Sequence, residues 1–250
     1  MKRKMKRFVI LTDTHGDLRD LPTIKAACNF ATDFKPDLLI HMGDNWDLRA
    51  YRRGADEADQ CCDPTEDFKA AEDTLSRFFG AYNPAKKVYL SGNHDHPRLE
   101  RFLESPKAMI RQHASALLDD MQATITRFSD YNMPYDKRGG VFEYEGMRFL
   151  HGYNHGLNSA SALGRAYGTA IMGHVHAFGR FDIPNFDQSV SYTVGCACAI
   201  DQGYNRGHVG TLRQKNGFAY GFLDESKGFH DVHFAQKMPN GKFFLPTEWN

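Results

Sequence analysis

Residues 91–95 read Ser91-Gly92-Asn93-His94-Asp95 and directly follow a short apolar run at 86–90. This placement predicts that the glycine lies where a buried strand ends and a loop begins, and ligands of open α/β sheets gather at such strand ends. The asparagine offers an amide oxygen, the histidine can hold or give a proton, and the aspartate brings a charge. Four more short motifs with aspartate or histidine each follow an apolar run, so we expect one shared site.

Apolar, β-branched runs predict the strands that carry the first motifs. Residues 7–11 and 37–42 lack polar alternation, as expected for strands buried on both faces, and residues 18–34 between them have apolar side chains at helical spacing. Strand, helix and strand on this scale predict a βαβ unit with a right-handed crossover. The first strand leads into Asp13-Thr14-His15, where Asp13 and His15 leave the same face of an extended chain.

The rest of the chain predicts more helices and strands. Helices are expected to start at Pro64, to run from 105 to about 120, and to span 158–167, and residues 131–140, rich in Pro, Gly and Asn, predict a loop. A β-hairpin is expected from 141–144 and 147–150, and another strand at 169–172. Runs at 189–194, 218–223 and 229–234 predict further strands.

Length and composition indicate a globular protein. The chain has 250 residues, of which 41% are hydrophobic and 25% charged, and we expect one domain over residues 1–250 with a basic tail at residues 1–7. No apolar run approaches the roughly 20 residues that span a bilayer, and the run at 8–11 is too short for a signal-peptide core. We therefore expect no membrane association and a cytoplasmic location.

Charge and cysteine content restrict the partners and the compartment. The 31 basic and 31 acidic residues balance, so only a local patch could attract nucleic acid. Residues 1–7 form one such patch, for which we favour a solvated terminus, and Arg49, Arg52 and Arg53 form another, for which a solvated helix and loop is at least as good an interpretation. Five cysteines, an odd number, argue against a disulfide framework and for a reducing compartment. We interpret Cys196-Ala197-Cys198 as buried thiols rather than a metal or redox pair.

Seven side chains at the predicted strand ends are candidate metal ligands. Carboxylate oxygens and imidazole nitrogens suit divalent transition metals such as Mn, Fe or Zn. Seven ligands exceed the need of one ion but suffice for two ions about 3.5–4 Å apart that share a carboxylate, an arrangement that serves phosphoryl transfer. The candidates are Asp13, His15, Asp44, Asn93, His151, His174 and His176.

The ordered set of motifs resembles the calcineurin-like metallophosphoesterases. The set spans residues 8–176 and comprises Asp13-Thr14-His15, Gly43-Asp44-Asn45-Trp46-Asp47, Gly92-Asn93-His94-Asp95, His151-Gly152 and Gly173-His174-Val175-His176. The resemblance implies an α/β fold, a four-layer α/β/β/α sandwich with the metals at the sheet edge and the later strands in the second sheet.

The resemblance also implies a site with two divalent metal ions, for which manganese is favoured and Fe, Zn, Ni or Mg are alternatives. Asp44 would bridge the ions, and a metal-activated water would attack phosphorus. His94 would act as general acid towards the leaving oxygen or stabilise its charge, while Asp47 would orient the imidazole. One ion would be held by Asp13, His15, Asp44 and His176, and the other by Asp44, Asn93, His151 and His174.

The function expected from this resemblance is hydrolysis of a phosphoester substrate. We favour a phosphodiesterase acting on nucleic acid or nucleotides, in the branch that includes small bacterial and phage phosphoesterases. Protein phosphatases of the superfamily carry Asp-Arg-Gly where this chain has Asp47-Leu48-Arg49, which weakens but does not remove the alternative of a phosphomonoesterase or protein phosphatase. A second alternative is a catalytically silent, metal-bearing interaction module.

For several residues the sequence either leaves the role open or indicates a structural role. The oligomeric state, the role of residues 49–62 and whether His155 reaches the pocket stay open. We interpret the remaining polar residues near the motifs, Asp17, Asp95 and His96, as capping or solvated turn residues; the alternative is that they support the metal ligands through hydrogen bonds. Three histidines outside the motifs are expected to be structural: His208, His230 and His233.

Overall fold

The computed structural model describes residues 5–200, 209–224, 226 and 228–246, and these residues form two β-sheets flanked by helices. The strands are β1 (Lys6–Leu11), β2 (Leu38–His41), β3 (Lys86–Leu90), β4 (Tyr131–Met133), β5 (Phe142–Tyr144), β6 (Met147–Leu150), β7 (Ala170–Met172), β8 (Gly179–Asp182), β9 (Val190–Thr193), β10 (Gly217–Asp224) and β11 (Phe229–Gln236). The α-helices are α1 (Leu21–Phe34), α2 (Glu57–Gln60), α3 (Pro64–Gly80), α4 (His96–Glu100), α5 (Ala108–Phe128) and α6 (Ser159–Tyr167).

Each sheet has a parallel centre. The first sheet has the order β11-β10-β1-β2-β3-β4, in which β1 to β4 are parallel and β10 pairs antiparallel with β1. The second sheet has the order β5-β6-β7-β9-β8, in which β6, β7 and β9 are parallel. The carboxyl ends of the parallel strands therefore carry the predicted motifs.

Alternation along β1 explains how the layers pack. Val9 and Leu11 belong to the core between the first sheet and helices α1, α3 and α5, whereas Phe8 and Ile10 point to the second sheet, where Phe149 packs on Phe8. On the outer face of the second sheet, Leu163 of α6 packs against β6 and β7. The order helix, sheet, sheet, helix confirms the predicted four-layer α/β/β/α sandwich.

The βαβ unit formed as predicted, with a later helix start. After β1 the chain makes one 3₁₀ turn, Gly16–Leu18, and α1 then begins at Leu21 instead of 18. The side chain of Asp20 accepts a hydrogen bond from the Thr23 backbone N–H, and Pro22 occupies the first turn. The start of α1 is therefore set by the capping aspartate and the proline, and not by the first apolar residue of the helical pattern.

Three expectations about the later elements were wrong. The predicted loop at 131–140 begins with strand β4, which pairs parallel with β3, and α5 starts at Ala108 and continues to Phe128, eight residues past the predicted end. Strands β10 and β11 extend the first sheet and not the second. The open edge of β1 accepts β10 through antiparallel pairing, and a sequence pattern of alternating residues does not indicate which sheet edge a strand joins.

Some predictions fall outside or beside the described residues. Residues 1–4 of the basic tail and His208 lie outside the described part of the chain. In the described parts, no helix combines the length and apolar character that crossing a bilayer requires. His230 and His233 lie on β11, where they contact Tyr192 and Asp231 respectively.

Glycines allow the motif loops to approach each other closely. A Cβ atom on Gly43, which has φ +88°, would lie 2.5 Å from the Gly92 nitrogen, and one on Gly92 would overlap the Asp44 backbone. A Cβ on Gly173 would lie 2.6 Å from Oδ2 of Asp13. Each glycine thus removes a side chain where two loops touch.

We expect Gly92→Ala to lower the free energy of unfolding by about 2–3 kcal/mol, because the new methyl group overlaps both the Asp44 carboxylate and the Asp44 backbone nitrogen, and that carboxylate is held by the His94 N–H. Gly54→Ala, at φ +69° in open space, isolates the backbone strain and should cost about 1 kcal/mol. Gly80→Ala, in open space in α3, should be neutral or stabilising. Urea unfolding measures all three, and equal values for Gly92→Ala and Gly80→Ala would contradict the crowding argument.

Candidate metal centre

The motif loops of both sheets meet at one place. The loops after β1, β2 and β3 come from the first sheet, and those after β6 and β7 come from the second. Backbone bonds join the first two loops: Asp13 N–H donates to Gly43 at 3.0 Å, and His15 N–H donates to Asp44 at 2.9 Å. All seven predicted ligands consequently lie at this junction.

Five of the seven predicted ligands have left-handed backbone conformations. Their φ angles lie between 49° and 66°, a region that costs a residue with a side chain about 1–2 kcal/mol. Such strain persists only where the surrounding structure imposes it, and it clusters at functional sites. The five are Asp13, His15, Asp44, His174 and His176.

The first group of side chains joins β1 and β2 to the loop after β7. His15 Nε2 lies 3.3 Å from His176 Nε2 and 4.0 Å from Asp44 Oδ2. Oδ1 of Asp13 lies 3.3 Å from the same His176 nitrogen. Because two imidazole nitrogens and two carboxylates converge in a buried space, the donor set fits a divalent cation.

The second group joins β2 and β3 to the second sheet. His151 Nε2 lies 3.3 Å from Oδ2 of Asp44 and 3.2 Å from Oδ1 of Asn93. His174 completes a set in which one ligand atom each of Asp44, His151 and His174 lies within 4.8 Å of the others. His151 Nδ1 is 2.7 Å from the Met42 carbonyl oxygen, which fixes the ring with Nε2 towards the site.

Burial and charge push the pKa values of the site in opposite directions. Burial raises the pKa of Asp44, but the charges of His151 and His94 outweigh it and hold that pKa well below its usual value. Burial lowers the pKa of His151, yet Asp44 and Asp13 raise it to about 9. The pair of Asp44 and His151 therefore favours an ionised carboxylate beside a protonated imidazole.

Asp47 contacts two histidines and not one. Its Oδ1 lies 2.9 Å from His15 Nδ1 and 3.1 Å from His94 Nδ1, so the carboxylate orients a candidate ligand as well as the predicted general acid. Asp67 in turn accepts hydrogen bonds from the backbone N–H of Asp47 at 3.1 Å and of Leu48 at 2.5 Å. The contact with His15 was not predicted from the sequence.

Arg98 lies on the other side of His94. One guanidinium nitrogen is 2.9 Å from His94 Nε2, and the other donates a hydrogen bond to the Asp47 carbonyl oxygen. Burial, followed by the charges of Arg98 and His15, lowers the pKa of His94 to about 4, although Asp44 opposes the shift. The His94 ring is therefore neutral at pH 7 in the metal-free protein. Because α4 was not predicted, no spacing pattern indicated Arg98.

Asp95 is a buried centre of hydrogen bonds and not a solvated turn residue. Its carboxylate accepts bonds from the Tyr89 hydroxyl at 2.7 Å and from four backbone N–H groups, at 2.7–3.2 Å, so it binds the loops after β2 and β3 together. Burial, with the Asp44 charge, raises the pKa of Asp95 to about 7. The four N–H donors belong to Asp44, Asn45, Trp46 and Gly92.

Two more side chains lie beside the predicted ligands. His155 Nδ1 is 2.9 Å from His174 Nε2, so His155 reaches the site. Cys198 Sγ is 4.0 Å from His176 Nδ1 and forms a third possible ligand set with His15 and His176. Cys198 is a buried thiol as expected, but its closeness to the site had no signal in the sequence.

Among the remaining polar residues, Asp17 pairs with Arg49 through both guanidinium nitrogens. His96 Nδ1 lies 3.2 Å from the Ser91 hydroxyl and outside the ligand groups. Arg52 pairs with Asp59. Residues 49–62 therefore take part in two separate ion pairs, and Arg49 brings the first of them to within 3.7 Å of Asp47 Oδ2.

Comparison with known proteins supports the same family as the motifs. The family model of calcineurin-like phosphoesterases matches residues 6–178. No curated protein sequence matches the chain.

Solved structures with a similar fold include three phosphoesterases. A metallophosphoesterase from Sphaerobacter thermophilus is 13% identical, with a TM-score of 0.48 and coverage of 92% of this chain and 88% of that one. A novel archaeal phosphodiesterase is 16% identical, with a TM-score of 0.43 and coverage of 91% and 99%. YfcE, a phosphoesterase from E. coli, is 13% identical, with a TM-score of 0.44 and coverage of 96% and 97%.

We expect Asp95→Asn to lower the free energy of unfolding by about 3 kcal/mol at pH 8, where the Asp95 carboxylate is ionised. Each carboxylate oxygen accepts at least two hydrogen bonds, so an amide nitrogen in either place would leave backbone donors without an acceptor. Asp130→Asn is the matched control, because Asp130 is exposed and accepts one backbone bond from Lys87. Urea unfolding that gives equal values for both variants would contradict this role of Asp95.

Proposed function

The chain belongs to the calcineurin-like phosphoesterase family of metal-dependent phosphoester hydrolases, and we propose that it is a phosphodiesterase that uses two divalent metal ions. Asp44 is the observation that carries the proposal, because its carboxylate belongs to two groups of possible ligands at once. One group contains His15 and His94, and the other contains His151 and His174. A carboxylate between two such groups can neutralise both ions.

We assign the ligands as the motifs suggested. Two pairs of side chains would complete the sites around Asp44: Asp13 and His176 beside His15, and Asn93 and His174 beside His151. Mixed oxygen and nitrogen donors suit manganese, with Fe, Zn, Ni or Mg as alternatives. When bound, the ions would neutralise phosphate charge and acidify an attacking water.

His94 is proposed as the general acid for the leaving oxygen. Its ring is held on one side by Asp47 at 3.1 Å and contacts Arg98 on the other. The 9% exposure of His94 leaves it partly open to a substrate, whereas Asp47 is almost fully buried. Asp47 would therefore act by positioning the ring, and His94 would contact the leaving group.

Aromatic side chains beside the second ligand group support a nucleotide or nucleic-acid substrate. The Tyr135 ring lies 5.8 Å from the His151 ring and packs against Tyr153 at 4.8 Å. A cavity of about 230 Å³, lined by Ser91, His96 and Tyr135 among others, adjoins them. Any nucleobase can stack on such an aromatic ring, so the contact would not depend on the nucleotide sequence of the substrate.

Arg49 does not favour a protein phosphatase. This arginine follows Asp47 by two positions, and its guanidinium group pairs with Asp17 and lies 3.7 Å from Asp47 Oδ2. A guanidinium that already neutralises two carboxylates has less charge to offer a phosphate group. We therefore continue to favour a phosphodiesterase over a protein phosphatase.

We expect the purified protein to bind about two manganese ions per chain and Asp44→Asn to retain at most one, because the shared carboxylate is lost. The control Asp182→Asn changes an exposed aspartate that pairs with Arg180 and should retain both ions. Inductively coupled plasma mass spectrometry after desalting measures the content. Full retention by Asp44→Asn would contradict the bridging role.

Manganese affinity should increase with pH between about 6 and 9. The pKa of His151 is raised to about 9, so this ring carries a proton below that pH, and the ion must displace it. For the ion that His151 would hold, release of this one proton predicts roughly a tenfold gain in affinity per pH unit; burial opposes a proton on His176, but Cys196 and Asp13 raise its pKa, so the ion beside His15 would displace a proton of its own. Isothermal titration calorimetry in buffers of different ionisation enthalpy measures the protons released, and binding without proton release would contradict the assignment of His151.

His94→Asn should lower kcat by about 10²–10⁴-fold for diesters with an alkyl or nucleoside leaving group, because the departing alkoxide needs a proton. The loss should be much smaller for bis(p-nitrophenyl) phosphate, because nitrophenolate leaves without one. His233→Asn on the distant strand β11 is the control. Steady-state kinetics on both substrates provide the test. If kcat fell equally on both substrates, His94 would act by positioning the substrate and not by donating a proton. If the wild-type protein hydrolysed no diester, the proposal of a phosphodiesterase would be wrong.

A further inference from the structure

Arg53, Arg98 and Arg101 lie close enough for their charges to interact, and one of them, Arg98, contacts His94 at the edge of the centre. Arg98 and Arg101 are three residues apart on α4 and its cap, so they lie on one side of the helix, with Cβ atoms typically about 5–6 Å apart. Arg98 contacts His94, as described above. Arg101 donates a hydrogen bond to the Tyr51 carbonyl oxygen, which brings it to the loop that contains Arg53.

Two of these arginines have no acidic partner. Among the described residues, neither Arg53 nor Arg101 forms an ion pair with a carboxylate, and Arg101 Nε is buried without a hydrogen-bond acceptor. The nearby arginines behave differently, because Arg49 pairs with Asp17 and Arg52 with Asp59. The positive charge at Arg53 and Arg101 is therefore left for an external anion.

The charges in this group repel one another. Burial lowers the pKa of Arg101, and the charges of Arg53 and Arg98 lower it further, although guanidinium remains charged at neutral pH. Like charges held together destabilise a protein unless an anion joins them. Guanidinium groups bind phosphate through paired hydrogen bonds, so phosphate is the anion that their shape matches best.

We infer that Arg53 and Arg101, next to Arg98, form a subsite for a second phosphate group beside the one that is hydrolysed, and that the substrate is a nucleic-acid strand. The inference rests on the proposed function. Arg98 marks the position of the reacting phosphodiester through its contact with His94, and Arg101 lies one helical turn further along. That displacement is comparable with the separation of successive phosphates in a strand. A nucleotide with a single phosphate would leave Arg101 and Arg53 unused.

Binding to the metal-free protein tests the subsite without catalysis. A fluorescent eight-nucleotide oligothymidylate is titrated with protein in EDTA, and anisotropy gives Kd at several salt concentrations. We expect Arg101→Gln to raise Kd about tenfold and to reduce the slope of log Kd against log salt by about 0.7, the value for one lost phosphate contact with a single strand. Arg101→Lys should recover part of the affinity.

Arg111→Gln is the matched control. Arg111 is exposed on α5 and donates a hydrogen bond to the Ser105 carbonyl oxygen, so this change removes the same charge and the same kind of contact. Its Kd should equal that of wild type. An equal Kd for wild type and Arg101→Gln would overturn the inference. So would a loss in Arg101→Gln that follows a fall in Tm and that Arg101→Lys does not recover.

Kinetics identify the second phosphate itself. Thymidine trinucleotides with one phosphodiester and one neutral methylphosphonate linkage, in either order, are compared with the fully charged trinucleotide in manganese. For the wild-type protein, one of the two trinucleotides with a neutral linkage should have a kcat/KM about tenfold below that of the fully charged trinucleotide. For Arg101→Gln, the same neutral linkage should lower kcat/KM little further. Equal sensitivity in both proteins would overturn the subsite. Absence of any diester hydrolysis would instead reject the proposed function, and the binding experiment would still decide the subsite.

Discussion

The hydrogen bonds of the buried Asp95 carboxylate are the constraint on which the centre depends. One side chain accepts bonds from backbone on both the β2 and β3 loops, so it fixes Asp44 relative to Asn93 and His94. Gly43 and Gly92 make this approach possible because each leaves space where the other loop passes. The Asp44 N–H donates to Asp95, and Asp44 Oδ1 accepts from the His94 N–H at 2.7 Å. The carboxylate that belongs to both ligand groups is thus held by backbone contacts that do not require a cation.

Burial of several carboxylates together makes the site electrostatically unstable unless cations balance it. In the metal-free protein, protons on His151 and on His176, whose pKa values are raised, supply part of that balance. Burial and the charge of His151 lower the pKa of His174 to about 3, so the same site also contains a histidine that stays neutral. A neutral imidazole is the form that binds a metal ion. The arrangement therefore couples cation binding to the loss of protons from particular rings.

The sequence predicted those parts of the structure that repeat a local pattern. Buried strands followed by motifs with glycine placed all seven candidate ligands at strand ends, and the layer order followed from family resemblance. The assignment of β10 to the first sheet could not be predicted, because strand pairing depends on which edge is open in three dimensions. The preferred interpretation of Asp95, as a capping or solvated turn residue, was wrong, because an aspartate in a turn is usually solvated and only the fold shows that this one is buried. Arg98 and Cys198 approach the site through tertiary packing, for which spacing gives no signal. The extent of the single domain and the ligand roles stay predictions.

If His94 is the general acid, as proposed, Arg98 would link proton transfer at its ring to binding of the substrate phosphate. A cation next to Nε2 makes a protonated His94 a stronger acid but also reduces the protonated fraction, and in the metal-free protein the second effect dominates because the pKa is about 4. A phosphodiester bound between Arg98 and the ligand groups would bring negative charge to the same nitrogen and would engage the guanidinium group. Both changes favour a proton on His94. Proton donation would then become effective mainly when the substrate occupies the site, so an arginine that opposes protonation in the free protein can still assist catalysis in the complex.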